Sequence, residues 1–123
     1  MSSSNAAAPP PVAHRPYTGL VAAVHTPFRE EAGGGGGDLA LDVVPIQAKH
    51  LADSGVSAVF VAGTTGEGSS LTYEEKRDLF SAWSEVGAEP EARLRVIAHV
   101  GGSCLRDSVA LAAHCAGLPG IEA

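Results

Sequence analysis

The stretch that decides the fold is Val56-Ser57-Ala58-Val59-Phe60-Val61-Ala62, followed directly by Gly63-Thr64-Thr65-Gly66-Glu67-Gly68. Its first half is a largely apolar run of strand length, which predicts a strand buried on both faces of a sheet. Glycines and threonines then replace the apolar residues. Because ligands bind at the carboxyl ends of strands in parallel α/β folds, the second half is the first candidate for a binding site.

Two further apolar runs of strand length flank this stretch. Residues 20–24 end before a Thr-Pro pair, and residues 95–100 end at a pair of glycines. Glycine and proline are the strongest local signals for the end of an element. We therefore predict three strands in all.

A helix is predicted over residues 43–53, between the first and second strands. Asp42 is a candidate N-cap, and Pro45 falls in the first turn, where its missing N–H does little harm. Gly55 is the expected stop.

Two more helices are predicted, over residues 73–86 and 105–116. Thr72 and Glu75 have the spacing of a capping box before the second helix. Apolar residues at helical spacing indicate the core-facing side of each helix. They are Leu79, Phe80 and Trp83 in the second helix, and Leu105, Val109, Ala112 and Ala116 in the third.

The predicted order is therefore β-α-β-α-β-α. Such alternation predicts a parallel sheet with right-handed crossovers. Two closures of that sheet fit the pattern equally, an open doubly wound sheet and part of a TIM barrel.

The composition excludes several classes of partner. The chain of 123 residues is 45% hydrophobic and has a formal net charge of −6. Nucleic acids and anionic membrane surfaces both attract basic proteins, so neither is an expected partner. No apolar run reaches the roughly 18–20 residues of a spanning helix. Because two cysteines are too few for a disulfide framework, we expect reduced thiols and a cytoplasmic protein.

Two segments have compositions that disfavour a packed structure. Residues 1–16 are dominated by Ser, Ala and Pro, which predicts a disordered tail. The five glycines at residues 33–37 are typical of a flexible tether.

The loop after the second predicted strand has the residue types of a small-anion site. Gly63 and Gly66 let the backbone approach a ligand and expose its N–H groups, while Thr64 and Thr65 add hydroxyl donors. These donors suit a carboxylate. The loop is neither a P-loop nor a dinucleotide fingerprint, because the Gly-Lys-Ser/Thr ending and the G-x-G-x-x-G order are both missing. A glycine-rich turn that only links a strand to a helix is an equally good interpretation of the residue types.

No metal site is expected. The candidate ligands lack the Cys-x-x-Cys and His-x3–5-His spacings of zinc modules. They are His99, Cys104, His114 and Cys115. His99 is interpreted as a satisfied residue near a strand end.

Residues 61–67, Val-Ala-Gly-Thr-Thr-Gly-Glu, resemble the pyruvate-carboxylate motif of the N-acetylneuraminate lyase and dihydrodipicolinate synthase superfamily. Residues 19–28, 68–77 and 96–101 resemble its first strand, second helix and third strand, in that order. The His-Val-Gly ending at residues 99–101 is more similar to the lyases, and the resemblance extends over residues 19–116.

The resemblance implies a partial (β/α)8 barrel of about the first three βα units. Residues 17–116 would be the N-terminal part of the aldolase domain, and residues 117–123 would depart from the family's course into a fourth strand. The implied reaction is reversible cleavage of N-acetylneuraminate, a sialic acid, to N-acetylmannosamine and pyruvate through a Schiff base. No cofactor is implied, and the family suggests a homotetramer.

The resemblance also assigns roles to the loop. Thr64 and Thr65 would bind the pyruvate carboxylate, supported by Gly63 and Gly66, and Glu67 would support the loop by hydrogen bonding.

The Schiff-base lysine and proton-shuttle tyrosine of the family have no counterpart here. Lys49 and Lys76 fall in predicted helices, whereas such a lysine belongs inside a barrel. Tyr17 and Tyr73 fall before the first strand and in the first turn of the second helix. We therefore expect a truncated form that is inactive alone. The alternatives are a dihydrodipicolinate synthase-like aldolase and a non-catalytic truncated product.

Overall fold

A computed structural model describes residues 15–30 and 37–123. Most of the predicted tail and of the glycine tether lies outside these residues. The described strands are β1 (Leu20–Ala23), β2 (Val56–Val61) and β3 (Arg95–Ala98), and the helices are α1 (Val44–Asp53), α2 (Tyr73–Gly87) and α3 (Leu105–Ala116). The strands pair in parallel in the order β1-β2-β3, which confirms the predicted alternation.

The core lies between one face of the sheet and the helices. Val59 and Val61 of β2 are fully buried there, as is Val96 of β3. The predicted core positions of α2 are confirmed, because Phe80 and Trp83 have no exposed surface and neither does the adjacent Leu79. Fully burying a large apolar side chain stabilises the fold by roughly 1.5–3 kcal/mol, so this cluster holds α2 against the sheet.

Helix α2 begins with the predicted capping box. The amide of Glu75 donates to Thr72 Oγ1 at 3.1 Å, and the amide of Thr72 donates to Glu75 Oε1 at 2.9 Å. Two amides that lack partners within the helix are satisfied in this way. The capping box therefore fixes where the chain leaves the candidate binding loop and becomes helical.

The predicted N-cap of α1 was wrong. A 3-10 turn at Leu41–Val43 precedes the helix, and the cap position is Val43, which makes no side-chain capping bond. Asp42 lies one residue before the cap position and pairs with Arg29 instead. Pro45 does lie in the first turn, and Gly55, with φ of 88°, follows the helix end as predicted.

The bounds of α3 match the prediction, but its predicted core face was wrong. Leu105 and Val109 are 77% and 62% exposed, and Ala112 and Ala116 are exposed as well. The buried residues are Leu111 and Cys115, one turn apart on another side of the helix. Helix α3 carries apolar residues on two sides, and packing against α2 selects the side of Leu111.

The strands end earlier than the apolar runs suggest. Strand β1 ends at Ala23 and β2 at Val61, and β3 ends at Ala98, two residues short of the prediction. The backbone of Ala62 has φ of 60°, which is outside the extended region. The regular pairing of β2 with both neighbours therefore stops before this residue.

The last residues of the chain lie along the free edge of β3. The amide of Glu122 donates to Val96 O at 2.9 Å, and the amide of Ala98 donates to Ala123 O at 2.8 Å. Residues 122 and 123 thus pair with part of an edge whose backbone groups would otherwise have no partner in the sheet.

Arg95 joins this end of the chain to the beginning of the described residues. Its Nε donates to Glu122 Oε2 at 2.8 Å, its Nη1 donates to Pro16 O at 2.8 Å, and its guanidinium lies 3.7 Å from the centroid of the Tyr17 ring. The hydrogen bond from Arg95 holds the pKa of Glu122 below its ordinary value of 4.5.

Within the described ranges, no helix is long and apolar enough to cross a membrane.

Removing the Glu122 charge is predicted to change the dependence of stability on pH. A carboxyl whose folded pKa is lowered stabilises the fold above its unfolded pKa, and that contribution is lost as pH falls through the folded pKa. Glu122→Gln should therefore lower the free energy of unfolding near neutral pH, and its difference from wild type should shrink as pH falls below about 4.5. Urea unfolding measures both. Glu85→Gln is the control, since Glu85 forms no ion pair within residues 15–30 and 37–123. A difference that stays constant with pH would contradict the role of this pair.

Candidate functional site

The loop after β2 begins with a strained backbone turn. Ala62, which is buried, has φ of 60°, and Glu67 has φ of 56°. A residue other than glycine costs roughly 1–2 kcal/mol in this left-handed region. The conformation therefore persists only because surrounding contacts require it.

Backbone hydrogen bonds close the loop. The amide of Gly68 donates to Gly63 O at 3.0 Å, and the amide of Glu67 donates to Thr64 O at 3.0 Å. A Cβ on Gly68 would lie 2.1 Å from the carbonyl oxygen of Ala62. The chain thus returns to the end of β2 within van der Waals contact, and only glycine fits at the point of return.

Thr64 and Thr65 present free donors at the carboxyl end of the sheet. Both residues are exposed. Across the described part of the chain, neither their hydroxyls nor their amides donate a hydrogen bond. Consecutive exposed donors without internal partners are the groups that anion sites use to bind carboxylates.

The supporting residues act through their backbones. The hydrogen bonding expected of the Glu67 side chain does not appear within the described ranges, where this exposed carboxylate forms no hydrogen bond; the residue is bonded to the loop through its main chain. Its left-handed backbone turns the side chain away and lets its carbonyl accept from the Ser70 amide at 2.9 Å. Gly66 offers its carbonyl to the Thr26 hydroxyl at 2.6 Å, and a Cβ at Gly66 would lie 3.0 Å from Val24 O.

Two residues that the sequence did not mark as site residues contact the loop. Thr26 follows β1 and is buried. His99 follows β3, and its Nδ1 lies 3.1 Å from Ala62 O. Since a carbonyl only accepts, Nδ1 carries the proton in this contact. Their positions just after strand ends were visible in the sequence, but their partners were not.

A cavity of about 320 Å³ opens beside the loop. Gly63 and Thr64 line it from the loop, His99 lines it from the end of β3, and Lys76 reaches it from α2. Thr65, Gly66 and Glu67 do not line this cavity. Of the predicted site residues, Gly63 and Thr64 therefore line the cavity, whereas Thr65 and Glu67 are exposed outside it and Gly66 is buried.

The predicted positions of the lysines and tyrosines are confirmed. Lys49 lies in α1 and Lys76 in α2. The Lys76 side chain nevertheless extends to the carboxyl end of the sheet, where its Nζ would lie 3.8 Å from a Cβ on Gly102. Neither Tyr17 nor Tyr73 lines the cavity.

Residues 16–123 match the model of the dihydrodipicolinate synthetase family. The chain belongs to this family. The family comprises lyases and aldolases. The described βα units of this chain form part of a TIM barrel.

Relatives within the dihydrodipicolinate synthetase family include two kinds of enzyme. The chain is 41% identical over 102 residues to the N-acetylneuraminate lyase of Danio rerio, and the aligned part covers 82% of this chain and 31% of that protein. It is 36% identical over 95 residues to the 4-hydroxy-tetrahydrodipicolinate synthase of Synechococcus elongatus, covering 77% of this chain and 29% of that protein. The solved structure of Proteus mirabilis N-acetylneuraminate lyase superposes with a TM-score of 0.71 at 35% identity, covering 83% of this chain and 32% of that one. The chain therefore spans about a third of the length of these relatives.

The four residues weighed as metal ligands do not come together in one group. His114 contacts Ser81 Oγ at 3.1 Å across α2 and α3, and Cys115 is buried, which raises the pKa of its thiol. His99 and Cys104 both line the cavity. Among the residues described, no group of three or more His, Cys, Asp or Glu side chains is arranged to hold a metal ion.

Gly68→Ala is predicted to disrupt the loop. The added Cβ would collide with a backbone oxygen, so we expect a loss of about 2–3 kcal/mol in the free energy of unfolding. Gly102→Ala is the matched control, because a Cβ there has only an ordinary contact with Lys76, and its effect should stay within about 0.5 kcal/mol. Urea unfolding of both variants tests this, and equal effects would contradict the constraint at Gly68.

Proposed function

We propose that this chain forms the pyruvate-binding part of an N-acetylneuraminate lyase. The reaction is the reversible aldol cleavage of N-acetylneuraminate to N-acetylmannosamine and pyruvate. One observation carries the proposal, namely the free hydroxyl and amide donors of Thr64 and Thr65 at the carboxyl end of β2. The ligand is a small molecule with a carboxylate, and no cofactor takes part.

The donors of Thr64 and Thr65 perform two tasks in this proposal. They compensate the carboxylate charge when it leaves water, and they fix the orientation of the adjacent ketone carbon. Both tasks require donors that are in place before the ligand arrives, since reorganisation would cost part of the interaction energy. The closed backbone of the loop supplies this order.

The lyase is favoured over the synthase by two features. Identity to the Danio rerio lyase is 41%, against 36% for the Synechococcus elongatus synthase. The His99-Val100-Gly101 sequence after β3 is the second feature. A dihydrodipicolinate synthase-like aldolase is the alternative, supported by the family match and by the synthase relatives.

The amine that forms the Schiff base is proposed to lie outside this chain. Its lysines both stand on helices that pack against the outer face of the sheet. By family resemblance, the complete enzyme would be a cytoplasmic homotetramer. The 123 residues alone would then bind pyruvate without catalysing the aldol reaction. A non-catalytic truncated product is therefore the proposal for this polypeptide by itself.

Replacing Thr64 or Thr65 by Ala should weaken pyruvate binding. Loss of one hydrogen bond to a charged group costs about 1.5–3 kcal/mol, which corresponds to roughly 10- to 100-fold in Kd. Titration of the 15N-labelled chain with pyruvate, followed at the amides of both threonines, measures the change. Pyruvamide, which lacks the charge, should bind more weakly than pyruvate. Thr18→Ala, an exposed threonine at the opposite end of the sheet, is the control. Unchanged binding in both loop variants would refute the proposed carboxylate site.

The isolated polypeptide should release no pyruvate from N-acetylneuraminate. Borohydride reduction in the presence of pyruvate should likewise leave Lys49 and Lys76 unmodified, because a trapped adduct needs an amine positioned beside the bound ketone. Peptide mapping by mass spectrometry distinguishes the two lysines. A stoichiometric adduct on Lys76 alone would identify it as the reactive amine and overturn this part of the proposal.

A further inference from the structure

We propose that Thr26 and His99 are positioning residues that clamp the ends of the carboxylate-binding loop, from Ala62 to Gly66, and so hold the Thr64 and Thr65 donors in place. The ligand in this proposal rests on the proposed function. The clamp itself rests on contacts within the chain.

The loop needs an external restraint because its first residue is strained. Ala62 has φ of 60° and no exposed surface. A non-glycine residue in this region relaxes to extended or right-handed backbone unless its neighbours prevent it. Relaxation at Ala62 would swing the following residues away from the end of β2.

Thr26 restrains the far end of the loop from β1. Its hydroxyl donates to Gly66 O at 2.6 Å, and the residue is only 7% exposed. Water therefore competes poorly for this bond, and losing it would leave a buried carbonyl acceptor unsatisfied. The close approach of Val24 O to Gly66 brings the same end of the loop against β1.

His99 restrains the near end from β3. Its backbone amide donates to Val61 O at 2.9 Å, and its ring Nδ1 donates to the next carbonyl, that of Ala62, at 3.1 Å. The Phe60 ring, with its centroid 5.5 Å from that of His99, supports the imidazole. A Cβ on Gly101 would lie 2.9 Å from Nε2, so the glycine at this position leaves room for the ring.

The two contacts lie on either side of the donors. Ala62 O is bonded by His99, just after β3, and Gly66 O by Thr26, just after β1. Thr64 and Thr65 lie between them, and in the described part of the chain their hydroxyls and amides donate no hydrogen bond. The donors are therefore held in position without being consumed by internal bonds. A preorganised anion site requires donors that are fixed in place and still free to bind the ligand.

The test compares variants that remove each contact with variants that retain it. Thr26→Val removes the hydroxyl at nearly constant shape, and Thr26→Ser keeps it. His99→Phe keeps an aromatic ring beside Phe60, and His99→Asn offers an amide donor in place of Nδ1. Hydrogen exchange of the Glu67 and Gly68 amides reports loop closure, because both amides are bonded within the loop. Amides within α2 report global unfolding in the same samples.

Thr26→Val and His99→Phe should each accelerate exchange of the loop amides on the order of tenfold relative to α2, as loss of about 1.4 kcal/mol would. Pyruvate affinity should fall by a similar factor, and Thr26→Ser and His99→Asn should restore both properties to within about threefold. Ser57→Ala is the control, because Ser57 makes an equivalent hydroxyl-to-backbone bond at the other end of the sheet, to Thr18 O at 2.6 Å.

Three results would overturn the proposal. They are unchanged loop exchange, equal acceleration in the loop and in α2, and accelerated loop exchange with unchanged pyruvate affinity. If the wild-type chain binds no pyruvate, the proposed function fails, while loop exchange still decides whether Thr26 and His99 act as a clamp.

Discussion

The site depends on one backbone constraint, the return of the chain at Gly68 to the end of the central strand. The Ala62 carbonyl lies where a side chain at Gly68 would have to be, so the loop between them can close in only one way. That closure leaves Thr64 and Thr65 exposed and leads the chain to Thr72, where the capping box begins α2. The strain at Ala62 is offset by the contact of His99 at that end of the loop and by the contact of Thr26 at Gly66.

The elements were predictable because their signals are local. Each strand is an apolar run that is followed by glycine or proline, and Thr72 and Glu75 at capping-box spacing indicate the start of α2. The binding loop was equally visible, since a strand followed by Gly63-Thr64-Thr65-Gly66 combines a position and a chemistry that suit an anion. For such features the residues that decide the structure lie within a few positions of one another.

The remaining features depend on contacts between residues distant in sequence. Thr26 and Gly66 are 40 residues apart, and His99 and Ala62 are 37 apart, so nothing in either local pattern names the partner. Asp42 has the side-chain chemistry of an N-cap residue but pairs with Arg29. The core face of α3 was misjudged for a related reason. Its apolar residues fall on two sides, and only packing against α2 decides which side is buried.

The division of relatives between lyases and synthases has a physical basis in the proposed site. A carboxylate presents the same charge and two oxygens whatever molecule bears it, so the loop donors select for the acid end of a ligand and are indifferent to the remainder. Selection for one product over another requires contacts to groups beyond the carboxylate. In the described residues, the cavity wall offers His99 and Lys76 for such contacts, and the relatives add about two thirds of their length beyond the aligned part. Substitutions within the loop should therefore impair lyase and synthase chemistry alike, whereas substrate preference should respond to residues elsewhere around the barrel.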